Sequence, residues 1–187
     1  MNKGQLIVIS GPSGVGKGTI VKRLLSECDN ICLSVSATTR EPRAEDKEGV
    51  TYFFKTKDEF ASMIESGSFL EWATYNGNCY GTPIAPVEEK LAQGIDVILE
   101  IDVQGAIKIM DAYNGGLFIF IAPPDFETLR TRLEGRGSES KEQIEMRIAA
   151  ARAELDAQHR YDYIVVNNVL DEAVDTIKNI IKGDEVL

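Results

Sequence analysis

Histidine is almost missing from this chain of 187 residues, in which His159 is the only one. That excludes a mechanism built on two histidines and a metal held by several. Cysteine is scarce as well. Cys28, Cys32 and Cys79 are an odd number, and Cys28-x-x-x-Cys32 has no second pair to complete a zinc site. Three inert thiols in a reducing compartment are expected. Long apolar runs are absent: the longest, Leu117 to Ala122, falls far short of the ~20 residues that a spanning helix needs. The apolar stretch from Leu6 stops at Ser10 and passes into glycines, unlike a secretory signal. Positive charge is in deficit, with 20 Lys/Arg against 30 Asp/Glu and a formal net charge of -10. Such a balance disfavours non-specific binding to nucleic acid or an acidic membrane. What remains is an ordinary globular composition, 43% hydrophobic and 27% charged, in a length that suits one domain. A cytosolic protein is expected, without nucleic-acid or membrane partners, as a monomer or homodimer.

Four apolar runs lack the alternation of a half-wet strand: Leu6 to Ile9, Val97 to Leu99, Leu117 to Ile121 and Ile164 to Val166. They read as strands covered on both faces, as a parallel sheet flanked by helices requires. Ile31 to Val35 is a weaker fifth candidate. Between them lie helical patterns. Ile144, Ile148, Ala151 and Leu155 form one stripe, and Val174, Ile177 and Ile181 form another. This order predicts an α/β fold with right-handed crossovers. Two stretches break the rhythm: Thr38 to Pro86, with strand-like pieces at Tyr52-Phe53-Phe54 and Phe69-Leu70-Glu71-Trp72, and the helix-rich Arg130 to Arg160. Both read as insertions that carry function.

The strongest local signal is Gly11-Pro12-Ser13-Gly14-Val15-Gly16-Lys17-Gly18-Thr19, between an apolar strand and a helical pattern from about Lys17 to Leu25. Strand, glycine loop and helix together make a P-loop. Its backbone N–H groups and the helix N-terminus surround phosphate, and Lys17 adds a point charge for the β- and γ-phosphates. The usual Ser or Thr after the lysine is Gly18 here. Thr19 is thus a candidate for the metal, its water shell or the α-phosphate. The loop implies a nucleoside triphosphate and leaves its fate open.

The remaining motifs are more specific. Thr38-Thr39-Arg40-Glu41-Pro42-Arg43, then Gly49 and Tyr52, Glu71-Trp72 and Tyr80-Gly81-Thr82 resemble the guanylate kinase family. So do Leu99-Glu100-Ile101-Asp102-Val103-Gln104-Gly105 and Arg132-Leu133-Glu134-Gly135-Arg136-Gly137, and the match runs from the P-loop through Val166-Asn167. The resemblance implies a P-loop NTPase-type parallel sheet flanked by helices (core 1–36, 93–125 and 160–187), a GMP-binding insertion at 37–92 and a helical lid at 126–159. The implied reaction moves the γ-phosphoryl group of ATP to GMP, and to dGMP, giving ADP and GDP in purine nucleotide recycling, with Mg²⁺ carried by ATP. On the acceptor side it implies Ser36, Arg40, Arg43, Tyr52, Glu71, Tyr80, Thr82 and Asp102. Arginine forks and hydroxyl donors suit a dianionic phosphate. Guanine offers N1–H and an amine beside O6, so Glu71 would accept from the two donors and Thr82 would donate to O6. Adenine would leave Glu71 unpaired.

Six arginines, Arg130, Arg132, Arg136, Arg147, Arg152 and Arg160, cluster in one acidic chain's second insertion. The resemblance assigns Arg132 and Arg147 to the transferred phosphate, Arg136 and Asn167 to ATP, and leaves the other three structural. Glu100 and Asp102 end a buried strand, where ligands of open α/β sheets collect. Glu100 is a candidate to hold a water on Mg²⁺, and Asp102 to face the guanine or order an arginine. Two alternatives stay open: a kinase for another monophosphate such as AMP, and a non-enzymatic scaffold of the same fold.

Overall fold

The computed structural model describes residues 3–135 and 140–184. Arg136 therefore lies outside the described residues. Five parallel strands form the central sheet: β1 (Leu6–Ser10), β2 (Ile31–Leu33), β7 (Asp96–Glu100), β8 (Leu117–Ala122) and β9 (Tyr163–Val166), in the order β2-β7-β1-β8-β9. Alternation sends successive side chains to opposite faces. Ile7, Ile9, Ile98, Ile119 and Ile121 pack against α1 (Lys17–Glu27) and α7 (Leu170–Lys182). Leu6, Val8, Val97, Leu99, Phe118 and Phe120 pack against α3 (Ile84–Ala92) and α4 (Val103–Ala112) on the other side. Two covered faces explain why β1, β7 and β8 read as unbroken apolar runs.

One strand departs from that expectation. β9 is outermost, and only Val165 is buried, against α7, whereas Ile164 is 48% and Val166 51% exposed. An edge strand lacks a neighbour on one side, so an apolar run does not ensure cover on both faces. The other edge, β2, ends at Leu33, short of Val35. In α7 the buried stripe is Ala173, Val174, Ile177 and Ile180, with Ile181 only partly covered.

A second sheet, in the order β4-β3-β6-β5, comprises β3 (Ala37–Thr38), β4 (Phe53–Phe54), β5 (Phe69–Tyr75) and β6 (Asn78–Pro83). A capping box between Thr56 and Glu59 starts α2 (Lys57–Glu65), whose Phe60 stacks on Phe69 with centroids 4.5 Å apart. Leu70 anchors this sheet to the central core. A third cluster lies apart from both. Leu129 and Leu133 of α5 (Phe126–Glu134) meet Ile144, Ile148 and Ala151 of α6 (Lys141–Asp156), while Leu155 packs on the central core.

The turn out of β1 tolerates no side chain. Gly11 has φ of 143°, and an added Cβ would lie 2.2 Å from the Ile121 carbonyl oxygen. Backbone cannot yield there, so Gly11→Ala is expected to cost at least ~2 kcal/mol, read as a lower urea midpoint.

Candidate active site

The glycine loop, Asp102 and Asn167 follow β1, β7 and β9, and Glu100 ends β7, so all lie at the same edge of the parallel sheet. Gly16, at φ 100°, precedes α1, whose first turn has neither a capping side chain nor an acidic residue. Its amides suit an anion. Lys17 Nζ donates to the carbonyls of Gly11 at 2.5 Å and Pro12 at 3.1 Å, which places the ammonium over the loop. A Cβ on Gly18 would lie 3.4 Å from Glu100 Oε1, so Gly18 faces that carboxylate. Thr19 points elsewhere. With Gly14, Gly16, Arg132 and Asn167 it lines a cavity of about 320 Å³.

Two arginines, Arg132 of α5 and Arg147 of α6, reach the loop. Arg132 donates from Nη2 to the Asn167 carbonyl at 2.8 Å and from Nη1 to the Val15 carbonyl at 3.3 Å. Asn167 Nδ2 donates to that same Val15 oxygen at 2.8 Å, which knots the end of β9, α5 and the loop together. Arg147 Nη1 donates to Ser13 Oγ at 2.9 Å. The other described arginines of this segment are engaged elsewhere: Arg130 with Glu145, Arg152 over the Phe126 ring at 4.4 Å, and Arg160 with Asp111.

A second cavity, of about 420 Å³, lies between the two sheets. Ser36, Tyr52, Glu71, Tyr80, Glu100 and Asp102 line it. The Tyr52 and Tyr80 rings meet edge to face at 6.0 Å, and the Arg40 guanidinium lies 5.4 Å from the Tyr52 centroid. These side chains lie together, whereas two others expected with them are placed differently. Arg43 is exposed and does not line this cavity; its backbone N–H donates to Asp46 at 2.8 Å. Thr82 is fully buried, and its hydroxyl donates to Glu71 Oε1 at 2.8 Å. That proton holds the carboxylate rather than facing the cavity, because Thr82 pairs with Glu71 across β5 and β6. Asp102 Oδ1 accepts from Gly105 N–H at 2.7 Å and so caps α4.

Burial pushes the Glu71 carboxyl above its usual range, against the pull of the Thr82 hydroxyl and with added repulsion from Asp102. Burial also raises Glu100, opposed by the Lys17 ammonium. Three further residues escaped the sequence reading. Tyr75 lines the acceptor cavity from the same face of β5 as Glu71, which period-two alternation indicates. Glu154 of α6 is half-buried, raised by burial and opposed by Lys17, and nothing local to the lid sequence marks it. Asp46 pairs with Arg40 at 2.7 Å, and its only signal is an acid inside an arginine-bearing loop.

No helix among the described residues is long and apolar enough to cross a membrane. The family model described as "Guanylate kinase" matches residues 3–184. The curated guanylate kinase of Synechococcus sp. (strain CC9902) is 50% identical, over 92% of this chain and 92% of its own length. That of Bacillus subtilis (strain 168) is 49% identical, over 98% of this chain and 91% of its own. The crystal structure of guanylate kinase from Anaplasma phagocytophilum superposes with a TM-score of 0.73 at 36% identity, covering 97% of this chain and 86% of that one.

Proposed function

Because the chain belongs to the guanylate kinase family and phosphorylates GMP with ATP, we propose that its two cavities divide the work, one for each nucleotide. The observation that carries this division is a buried carboxylate, Glu71, held by Thr82 on the wall of the cavity that reaches Glu100 at the end of β7. Glu71 accepts from guanine N1–H and the exocyclic amine. Arg40, Ser36, Tyr52 and Tyr80 hold the GMP phosphate, Arg43 joins from the loop above, and Asp102 backs Glu71 from the start of α4. The glycine loop and Lys17 hold the phosphates of ATP, Thr19 with them at the α-phosphate; Asn167 and Arg136 belong to its nucleoside side. Arg132 and Arg147 neutralise the transferred group, and their bonds to the loop support that placement.

The second pKa of a phosphate monoester is about 6, so GMP arrives mostly as the dianion and needs no general base. One of its oxygens forms a bond to the γ-phosphorus of ATP as the bond to the β-bridging oxygen breaks, and ADP leaves. His159, whose Nδ1 lies 2.7 Å from the Asp156 carbonyl, takes no part. Alignment, charge neutralisation and exclusion of water supply the rate. We take segments 37–92 and 126–159 as the parts that close over the nucleotides.

Mg²⁺ fits this donor set as a companion of ATP. No group of three His, Cys, Asp or Glu among the described residues could cage a metal, whereas an ion that keeps its waters and binds phosphates needs only one or two carboxylates. Glu100 has the chemistry to accept from one of those waters. Bound with ATP, Mg²⁺ supplies neutralisation of the β- and γ-phosphates. Three free thiols support a cytosolic site of action.

A coupled assay with ATP and GMP, dGMP, AMP, CMP and UMP tests the acceptor reading. GMP and dGMP should be phosphorylated, since no assigned contact is to the sugar, and AMP should lag by roughly 10⁴-fold. Comparable turnover of AMP would contradict the role of Glu71.

A further inference from the structure

The loop that carries Arg40 and Arg43 encloses a carboxylate. The Asp46 side chain is 8% exposed and that of Arg40 16%. A single oxygen, Asp46 Oδ2, accepts from Arg40 Nη2 at 2.7 Å and from the Arg43 backbone N–H at 2.8 Å. At the other end of the same guanidinium, Nη1 donates to the Glu41 carbonyl at 2.7 Å. Its flat face lies near two rings, 5.4 Å from the Tyr52 centroid and 5.9 Å from that of Phe54. The turn beneath is closed by the Asp46 N–H donating to the Arg43 carbonyl at 3.1 Å. Arg40 is therefore held by an anion, a carbonyl and two aromatic faces, all supplied by its own loop and the adjoining strand.

A carboxylate beside a phosphate-binding arginine has two opposed effects. It competes with the phosphate for the cation, and it removes the rotamer freedom that a long side chain otherwise loses on binding. The geometry decides between them. A guanidinium has five N–H donors, and Asp46 and Glu41 take one each from the two ends, so the fork has donors left over for a ligand. The carboxylate also stays ionised, because the Arg43 N–H and then the Arg40 guanidinium hold it below the usual range.

Resting on the assignment of Arg40 to the GMP phosphate, we propose that Asp46 is the positioning residue of the acceptor site, fixing the Arg40 guanidinium against Tyr52 so that the phosphate meets a cation already ordered. Arg43 is drawn into the same arrangement through its backbone N–H, while its side chain stays exposed.

Steady-state kinetics of the full chain test this, with Asp46→Ala, Asp46→Asn, Arg40→Ala and the double variant Arg40→Ala/Asp46→Ala. Asp46→Ala should raise KM for GMP about 10-fold or more, while KM for ATP and kcat stay within about twofold. Asp46→Asn keeps an oxygen for both donors and should lose less. In the Arg40→Ala background the second substitution should add little, because Asp46 acts through that arginine. An unchanged or lowered KM for GMP in Asp46→Ala would overturn the proposal, and so would full additivity of the two losses. General damage, read as kcat and both KM values moving together in Asp46→Ala and Asp46→Asn alike, would overturn it too. A wild-type chain that phosphorylates no GMP removes the underlying function and this inference with it. Normal wild-type turnover beside an unmoved Asp46→Ala removes this inference alone.

Discussion

Lys17→Ala is expected to lower kcat by about 10²–10³-fold while the protein still folds. The ammonium sits over the phosphate loop, bonded to the carbonyls of Gly11 and Pro12. Gly11 and Pro12 are buried, so leaving their carbonyls without this donor costs about 1–3 kcal/mol, within the stability of an ordinary domain. The catalytic loss is larger because this ammonium follows charge onto the bridging oxygen as the γ-phosphoryl group departs, while Arg132 and Arg147 attend to the transferred group itself. Turnover in the coupled assay and the thermal midpoint in the same buffer check the two halves separately. Wild-type-like turnover would take Lys17 out of the mechanism, and a collapsed midpoint would make it a structural residue.

Glu71→Ala should weaken GMP by about 10²–10³-fold, because two charge-assisted hydrogen bonds to one base are lost together. ATP binding should change little, since its cavity is lined by other residues. Titration calorimetry with each nucleotide separates the outcomes, and equal losses would contradict the base-pocket assignment. The wild-type pH dependence follows from the raised carboxyl. Binding requires the ionised form, so GMP affinity should fall as pH drops through a value above the ordinary Glu range of about 4.3. Glu71→Gln should remove that part of the profile. Stability of the unliganded protein runs the other way. A carboxyl that holds its proton more tightly when folded favours the native state progressively as pH falls through the folded value.

The P-loop was legible in the sequence because its meaning is local: nine consecutive residues between an apolar run and a helix. The central strands were legible for the same reason, since two covered faces leave a continuous apolar stretch. Position within the sheet was not. Ile164 and Val166 look like core residues until the strand order leaves β9 at the edge. The acceptor cavity was legible only through family resemblance, because its walls come from segments far apart in sequence. The role of Thr82 shows the difference. A hydroxyl expected to face the base is committed to Glu71 by the antiparallel register of β5 and β6, which no local pattern reveals. Asp46 and Glu154 depend on equally distant or loop-borne partners, and so neither declared itself.

The small cluster between α5 and α6 has a thermodynamic consequence. Its five buried side chains are separate from those on the two faces of the central sheet. A unit with so little apolar cover opens at a lower free energy than the strands it serves. Warming should thus loosen this helical pair first, exchanging its amides and silencing phosphoryl transfer while the parallel strands stay protected. The upper temperature for catalysis is then set by two helices, and the melting point of the whole chain overstates it.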